Sequence, residues 1–200
     1  MDVRYPIGEL QIPDPITLEQ VQEWLKDIET FPARLKEAVD GLSGEDLDKT
    51  YREGAWTVRQ LVHHIADAQL NIYIRMKLAL TEDNPSIPAF DENVWAVLPD
   101  AGLPVEASLK IIEGLNARIA AYARTLTEEQ LHQTYRHQIN GNTTVAAELA
   151  KCHWHEEHHL AHIPNRIIQI NGNPARRKIG GPGFCLWMKG IKRPEEFGHL

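Results

Sequence analysis

Two hundred residues give enough volume for one domain with a real core. A composition 42% hydrophobic and 24% charged is ordinary for a soluble protein, and a formal charge of -7 argues against a nucleic-acid partner. The dispersed basic stretch from Arg176 to Arg193 does not reverse that balance. No apolar run approaches the roughly 20 residues of a membrane helix, and Met1 to Glu9 carries no export pattern. Cys152 and Cys185 alone make no disulfide framework, so the cytoplasm is the expected compartment.

In chain order, helical periodicity dominates and no β alternation stands out. Thr17-Leu18-Glu19-Gln20 reads as a capping box that opens a helix running toward Asp40 and stopping at Gly41. Pro32 is expected to kink or restart it. Ser43 to Leu47 forms a short helical turn. Thr57-Val58-Arg59-Gln60 is a second capping box, stapled by Trp56, for a helix that reaches about Leu80. Four prolines between residues 81 and 104 (Pro85, Pro88, Pro99 and Pro104) predict a long crossover with one turn near Glu92 to Val97. A third helix spans Val105 to Leu126, Thr127 starts a short piece, and Asn140-Gly141 makes a turn. The fourth helix begins near Thr144, bends at Pro164 and ends before Asn171-Gly172. The expected architecture is all-α: a four-helix bundle over residues 1–171, with a Gly/Pro-rich extension over 172–200.

Five of the ten histidines lie between His153 and His162. Imidazole is the commonest metal ligand near neutral pH, and residues four apart on a helix share a face. Two such pairs exist, His155/His159 and His158/His162. The seam of the fourth helix is Val145, Leu149, Cys152, Leu160, Ile163, Ile167 and Ile170. At about 100° per residue, His159 stands roughly 60° from its centre, His155 about 100°, His162 about 120° and His158 about 160°. That favours His155/His159, with His162 close behind. On the second helix His64 lies on the shoulder of the seam Val58, Leu61, Ile65, Ala68, Ile72 and Met76, with Gln60, Asn71 and Arg75 along the same flank. His63 points the other way, toward solvent, and His153, His158 and His162 are expected at the surface or behind the ligands. His64, His155 and His159 together supply three neutral nitrogens and leave one coordination position open, the pattern of a catalytic site. Glu156 sits on the seam, where a carboxylate needs a partner.

His155-Glu156-Glu157-His158-His159 also matches H-E-x-x-H, in which the glutamate is the general base of a zinc peptidase. The longer form would need glycine where His162 stands. A downstream ligand glutamate would have to be Glu195 or Glu196 in the tail, so the peptidase reading is weak.

The stretch from Trp56 to Asp67 (W-T-V-R-Q-L-V-H-H-I-A-D), with Asn71 and Arg75, resembles the DinB-like superfamily and within it the YfiT branch of metal-dependent hydrolases. So do Lys77 to Pro85 and Trp154 to Ile163 (W-H-E-E-H-H-L-A-H-I), and the likeness spans about residues 1–170. The resemblance implies a four-helix bundle, a homodimer and one divalent metal per subunit, zinc or nickel, on His64, His155 and His159. The family more often has a small residue where Glu156 stands, so it implies no role for that carboxyl.

Such a site can activate water for hydrolysis of a small-molecule substrate. It can also bind a low-molecular-weight thiol such as bacillithiol as thiolate and transfer it to an electrophile, as S-transferases related to the family do. A non-catalytic, metal-stabilised dimeric sensor is the alternative of another class. Glu156, Arg75 and Asn71 are the expected catalytic helpers: the last two are placed to clamp a carboxylate or other polar group, or equally to form an interhelical salt bridge and a cap to Asp67 or a neighbour, and Asp67 and Glu156 to orient a ligand histidine.

Overall fold

The computed structural model describes residues 4–50 and 54–171, with side chains as far as Ile163. The expected extension over 172–200 lies outside them. Four long helices carry the fold: α1 (Leu18–Val39), α3 (Val58–Thr81), α5 (Glu106–Ala123) and α7 (Val145–Asn171). Short helices α2 (Gly44–Leu47), α4 (Glu92–Trp95) and α6 (Glu128–Leu131), with a 3-10 turn at Pro99–Gly102, fill the connections. None of the described helices is long and apolar enough to cross a membrane.

The starts of these helices are written locally. Thr17, Ser43, Thr57 and Thr127 each accept the backbone N–H three residues on, and the residue there returns the bond, a full capping box in every case. Principal packing is α1 against α5 and α7, and α3 against the same two helices. α1 and α3 therefore sit diagonally, as do α5 and α7, while the proline-rich crossover joins the neighbours α3 and α5.

Two expectations need correction. Three short strands form a sheet in the order β1 (Ser86–Ile87), β2 (Thr134–His137), β3 (Gly141–Thr144), with β1 parallel and β3 antiparallel to β2. Tyr135 and His137 are the inward residues of β2, and two alternations are too few to register as a period. Pro32, in turn, does not end and restart α1, which continues through it to Val39. Proline has no N–H for the carbonyl four residues back, that of Ile28. Asn116 Nδ2 on α5 donates to Ile28 O at 2.7 Å instead, so the orphaned acceptor becomes an interhelical bond.

Asn116 also belongs to a polar layer that crosses the core. One apolar cluster holds Leu25, Ile28, Ile72, Met76, Ile119 and Leu149, and the other Phe31, Leu35, Leu61, Ile65, Ile112 and Ile163. Between them in sequence on three helices stand Gln69, Asn116 and Glu156, all buried. Gln69 Nε2 donates to Asn116 Oδ1 at 2.7 Å and to Glu156 Oε1 at 2.5 Å, and Asn116 Nδ2 reaches the same carboxyl oxygen at 2.6 Å. Cys152 Sγ donates to Gln69 Oε1 at 3.4 Å.

Candidate metal centre

His64 from the second turn of α3 meets His155 and His159 from adjacent turns of α7. His155 Nε2 lies 3.1 Å from His64 Nε2 and 3.1 Å from His159 Nε2. All three rings are buried, and their ligand nitrogens fall within 4.8 Å of one another. Two nitrogens held about 2.05 Å from one tetrahedral ion would be roughly 3.3 Å apart, so the spacing fits a first-row divalent cation. The chemistry fits as well. Metal ligation needs neutral imidazole, and burial takes His64 down to about 3 and holds His155 and His159 well below the usual histidine value. The indole of Trp56, 4.5 Å from the His64 ring between centroids, walls one side.

His158, His159 and His162 form a second set within 4.8 Å. Both His158 and His162 are buried beside His159, which overturns the surface position for them and leaves the one behind the ligands. The His158 ring stacks on Trp154 at 4.2 Å and faces Tyr5 at 6.1 Å. This set comes from one helix and would compete for His159, whereas the first joins two helices through three converging Nε2 atoms. His153 stays at the rim, where it meets Asp27 Oδ2 at 2.9 Å and stacks on Trp24.

His63 is the clearest miss of the helical wheel. It is buried, its Nε2 donating to Leu103 O at 3.0 Å and its Nδ1 accepting from Ser108 Oγ at 2.7 Å. The crossover and α5 cover this side of α3, and a shallow cavity of about 130 Å³ beside it is lined by Asp67, Leu70, Trp95 and Asp100. Asp67 lies there, its carboxyl pushed up by burial and by Asp100. Asn71 Nδ2 donates to Asp67 O at 2.9 Å along its own helix, and Arg75 Nη1 pairs with Glu148 Oε1 at 3.3 Å. Neither is among the ligand atoms that converge with His64.

Glu156 is placed in the polar layer. Burial raises its carboxyl well above the usual range. A raised folded value means stability that is complete below the unfolded value of about 4.5 and is lost as pH rises through the folded one. Glu156→Gln keeps an acceptor for Gln69 and Asn116 and cannot ionise. We expect it to retain metal and to exceed the wild type in stability at pH 8, by about 1.4 kcal/mol for each pH unit of the shift it removes. Thermal melts at pH 4.5 and pH 8 check this. An advantage equal at both pH values would show that the carboxyl does not titrate as described.

These features define a class: a four-helix bundle with a three-histidine centre between two of its helices. The chain belongs to the DinB superfamily, whose family profile matches residues 27–163. It is 60% identical over 173 residues to a protein of Oceanobacillus iheyensis named "Putative metal-dependent hydrolase OB0413", covering 86% of this chain and all of that one. A Bacillus cereus protein given the same description is 44% identical over 170 residues, covering 85% of this chain and 98% of its own. YfiT from Bacillus subtilis, described as "a probable metal-dependent hydrolase with an unusual four-helix bundle topology", superposes with a TM-score of 0.82 at 38% identity over 86% of this chain and all of that structure.

Proposed function

We propose that the protein is a metal-dependent hydrolase in which His64, His155 and His159 hold one divalent ion, zinc or nickel. The observation that carries this reading is the convergence of three buried, neutral Nε2 atoms with 3.1 Å separations. Three protein nitrogens leave a coordination position for substrate or water, which is what separates a catalytic from a closed structural site. When bound, the ion supplies Lewis-acid polarisation of an electrophile and a water made nucleophilic near neutral pH. The chain's own residues do the rest. Two helices fix the donors, burial keeps them unprotonated, and Trp56 limits the freedom of the His64 ring. Glu156, Asn71 and Arg75 take no proton-transfer step in this reading.

The experiment compares metal-reconstituted protein, chelator-treated protein and the His64→Ala variant on chromogenic esters and on monobromobimane, each with and without cellular thiols. Product released without thiol, and only with both metal and His64, is the expected outcome. Conjugation that requires a thiol as well as metal would replace hydrolysis by thiol transfer. Equal turnover after chelation would remove the metal from the reaction.

A further inference from the structure

A cavity of about 130 Å³ lies where α3, α5 and the crossover meet, and His63 and Ser108 both line it. Both side chains are more than nine-tenths buried. Ser108 Oγ stands 2.7 Å from His63 Nδ1, and His63 Nε2 stands 3.0 Å from Leu103 O. A carbonyl only accepts, so the ring proton is on Nε2, and Nδ1 takes its bond from the Ser108 hydroxyl. A nucleophile requires this order: hydroxyl, then base, then a third group that fixes the tautomer and orientation of the base. The metal-centre reading gives neither residue a part.

Ser108 is the third residue of α5, and the residue at the cap, Val105, offers no side chain to the first N–H groups of the helix. Ala107 N–H turns back to Pro104 O at 3.3 Å and Leu109 N–H to Val105 O at 2.9 Å, while no backbone carbonyl of the described residues takes the N–H of Ser108 between them. A free donor beside the nucleophile, at the positive end of an 18-residue helix, suits the oxygen on which charge develops as Oγ attacks. Asp67 and Asp100 line the same cavity, and neither forms an ion pair with a described residue. Burial and Asp100 push the Asp67 carboxyl up, the effect of two like charges facing one space without a cation. Two carboxylates oppose a developing oxyanion unless the substrate brings a positive charge of its own. Trp95, with Leu70 and Ile111, supplies the aromatic and apolar wall that an organic ammonium ion prefers.

We propose that Ser108 and His63 form a second, metal-independent site that cleaves small esters carrying an organic cation, with Ser108 as nucleophile and His63 as its base. Ser108 Oγ bonds to the acyl carbon as its proton passes to His63 Nδ1. The bond to the leaving oxygen then breaks, and that oxygen takes the proton from Nδ1 and departs as the alcohol. Water attacks the acyl-serine in the same way, its proton going to Nδ1 and from there to Ser108 Oγ as the acid leaves. The imidazolium present between these steps keeps its Nε2–H on Leu103 O, and Asp67 stands one turn along the same helix. The size of the cavity limits the acyl chain to a short one. No metal ligand takes part in these steps, so they do not need the ion.

The test uses full-length protein with and without chelator treatment, acetylcholine as the cationic ester and 3,3-dimethylbutyl acetate as its neutral isostere, with acetate release followed by NMR. Acetylcholine is expected to turn over about tenfold faster than the isostere or better, at a rate that chelation leaves unchanged. Ser108→Ala should lower that rate about a hundredfold or more. Diisopropyl fluorophosphate should modify the wild type once, at Ser108, as read by intact mass and peptide mapping. His63→Gln, shown folded by circular dichroism, should lose this labelling, and Asp67→Asn should narrow the preference for the cation. The neutral chromogenic esters of the metal assay lack that cation, so the two sites are read separately. Turnover of acetylcholine lost on chelation would give the reaction to the metal centre instead. Absence of label on Ser108 in the wild type, or an undiminished rate in Ser108→Ala, would overturn the site, and equal turnover of the two esters would overturn the cationic substrate class.

Discussion

His155→Ala protein is expected to purify folded but to carry close to no divalent metal, against about one ion per chain for the wild type. His155 is the hub of the three-histidine cluster, its Nε2 standing 3.1 Å from Nε2 of His64 and of His159. Removing it leaves His64 and His159, and two imidazoles do not hold a first-row ion against water and chelators. The fold should survive because the two apolar clusters that flank the polar layer contain none of the three rings. Metal analysis by mass spectrometry, with His158→Ala and His162→Ala as parallel variants, reads the result. Retention in His155→Ala with loss in His158→Ala would move the centre to the His158, His159 and His162 set. The wild type should also hold its metal as pH falls from 8 to 6. A proton competes for an imidazole only below that imidazole's folded pKa, and burial has taken His64 to about 3 and the other two well below the usual histidine value. An exposed histidine patch would release metal across that same interval.

The grouping of His64, His155 and His159 was legible in the sequence because its geometry is local twice over. An i,i+4 pair fixes two rings on one helix face, and the third needs only to stand on the shoulder of another apolar seam. Helix starts were legible for the same reason, since a capping box is complete within four residues. What stayed hidden depends on residues far apart. His63 looked solvent-facing because the wheel of α3 has a single seam, yet Leu103 and Ser108, 40 and 45 positions on, close over the opposite side. Arg75 read equally as a clamp for a ligand and as half of an interhelical salt bridge, and nothing local identifies its partner as Glu148, 73 positions away. Gln69 and Asn116 drew no attention at all, since each makes sense only opposite the other and Glu156. Asn116 even answers a defect on a third helix, the carbonyl that Pro32 leaves without its donor.

The second large effect falls on stability rather than on metal. Glu148→Ala should lower the free energy of unfolding by about 3–5 kcal/mol, the usual cost of removing one partner from a buried charged group. In a chain of this length that is a drop of roughly 6–20 °C in melting midpoint. Arg75 and Lys151 would keep their charges with no carboxylate between them, and Tyr135, whose hydroxyl stays protonated because burial raises it, would lose its acceptor. Glu148→Gln should cost less, because its amide oxygen still accepts from Tyr135 and Lys151, although the charge and the oxygen that accepts from Arg75 are lost. The pH dependence has a definite sign. A carboxyl held below its unfolded value contributes stability that is present above about 4.5 and disappears as pH falls through the folded value. The gap between wild type and Glu148→Ala should therefore be full at pH 7 and narrow on acidification below 4.5, as measured by urea unfolding at a series of pH values. A gap that stayed constant down to pH 3 would mean that the loss comes from packing volume, and that the carboxylate does not hold these two cations together.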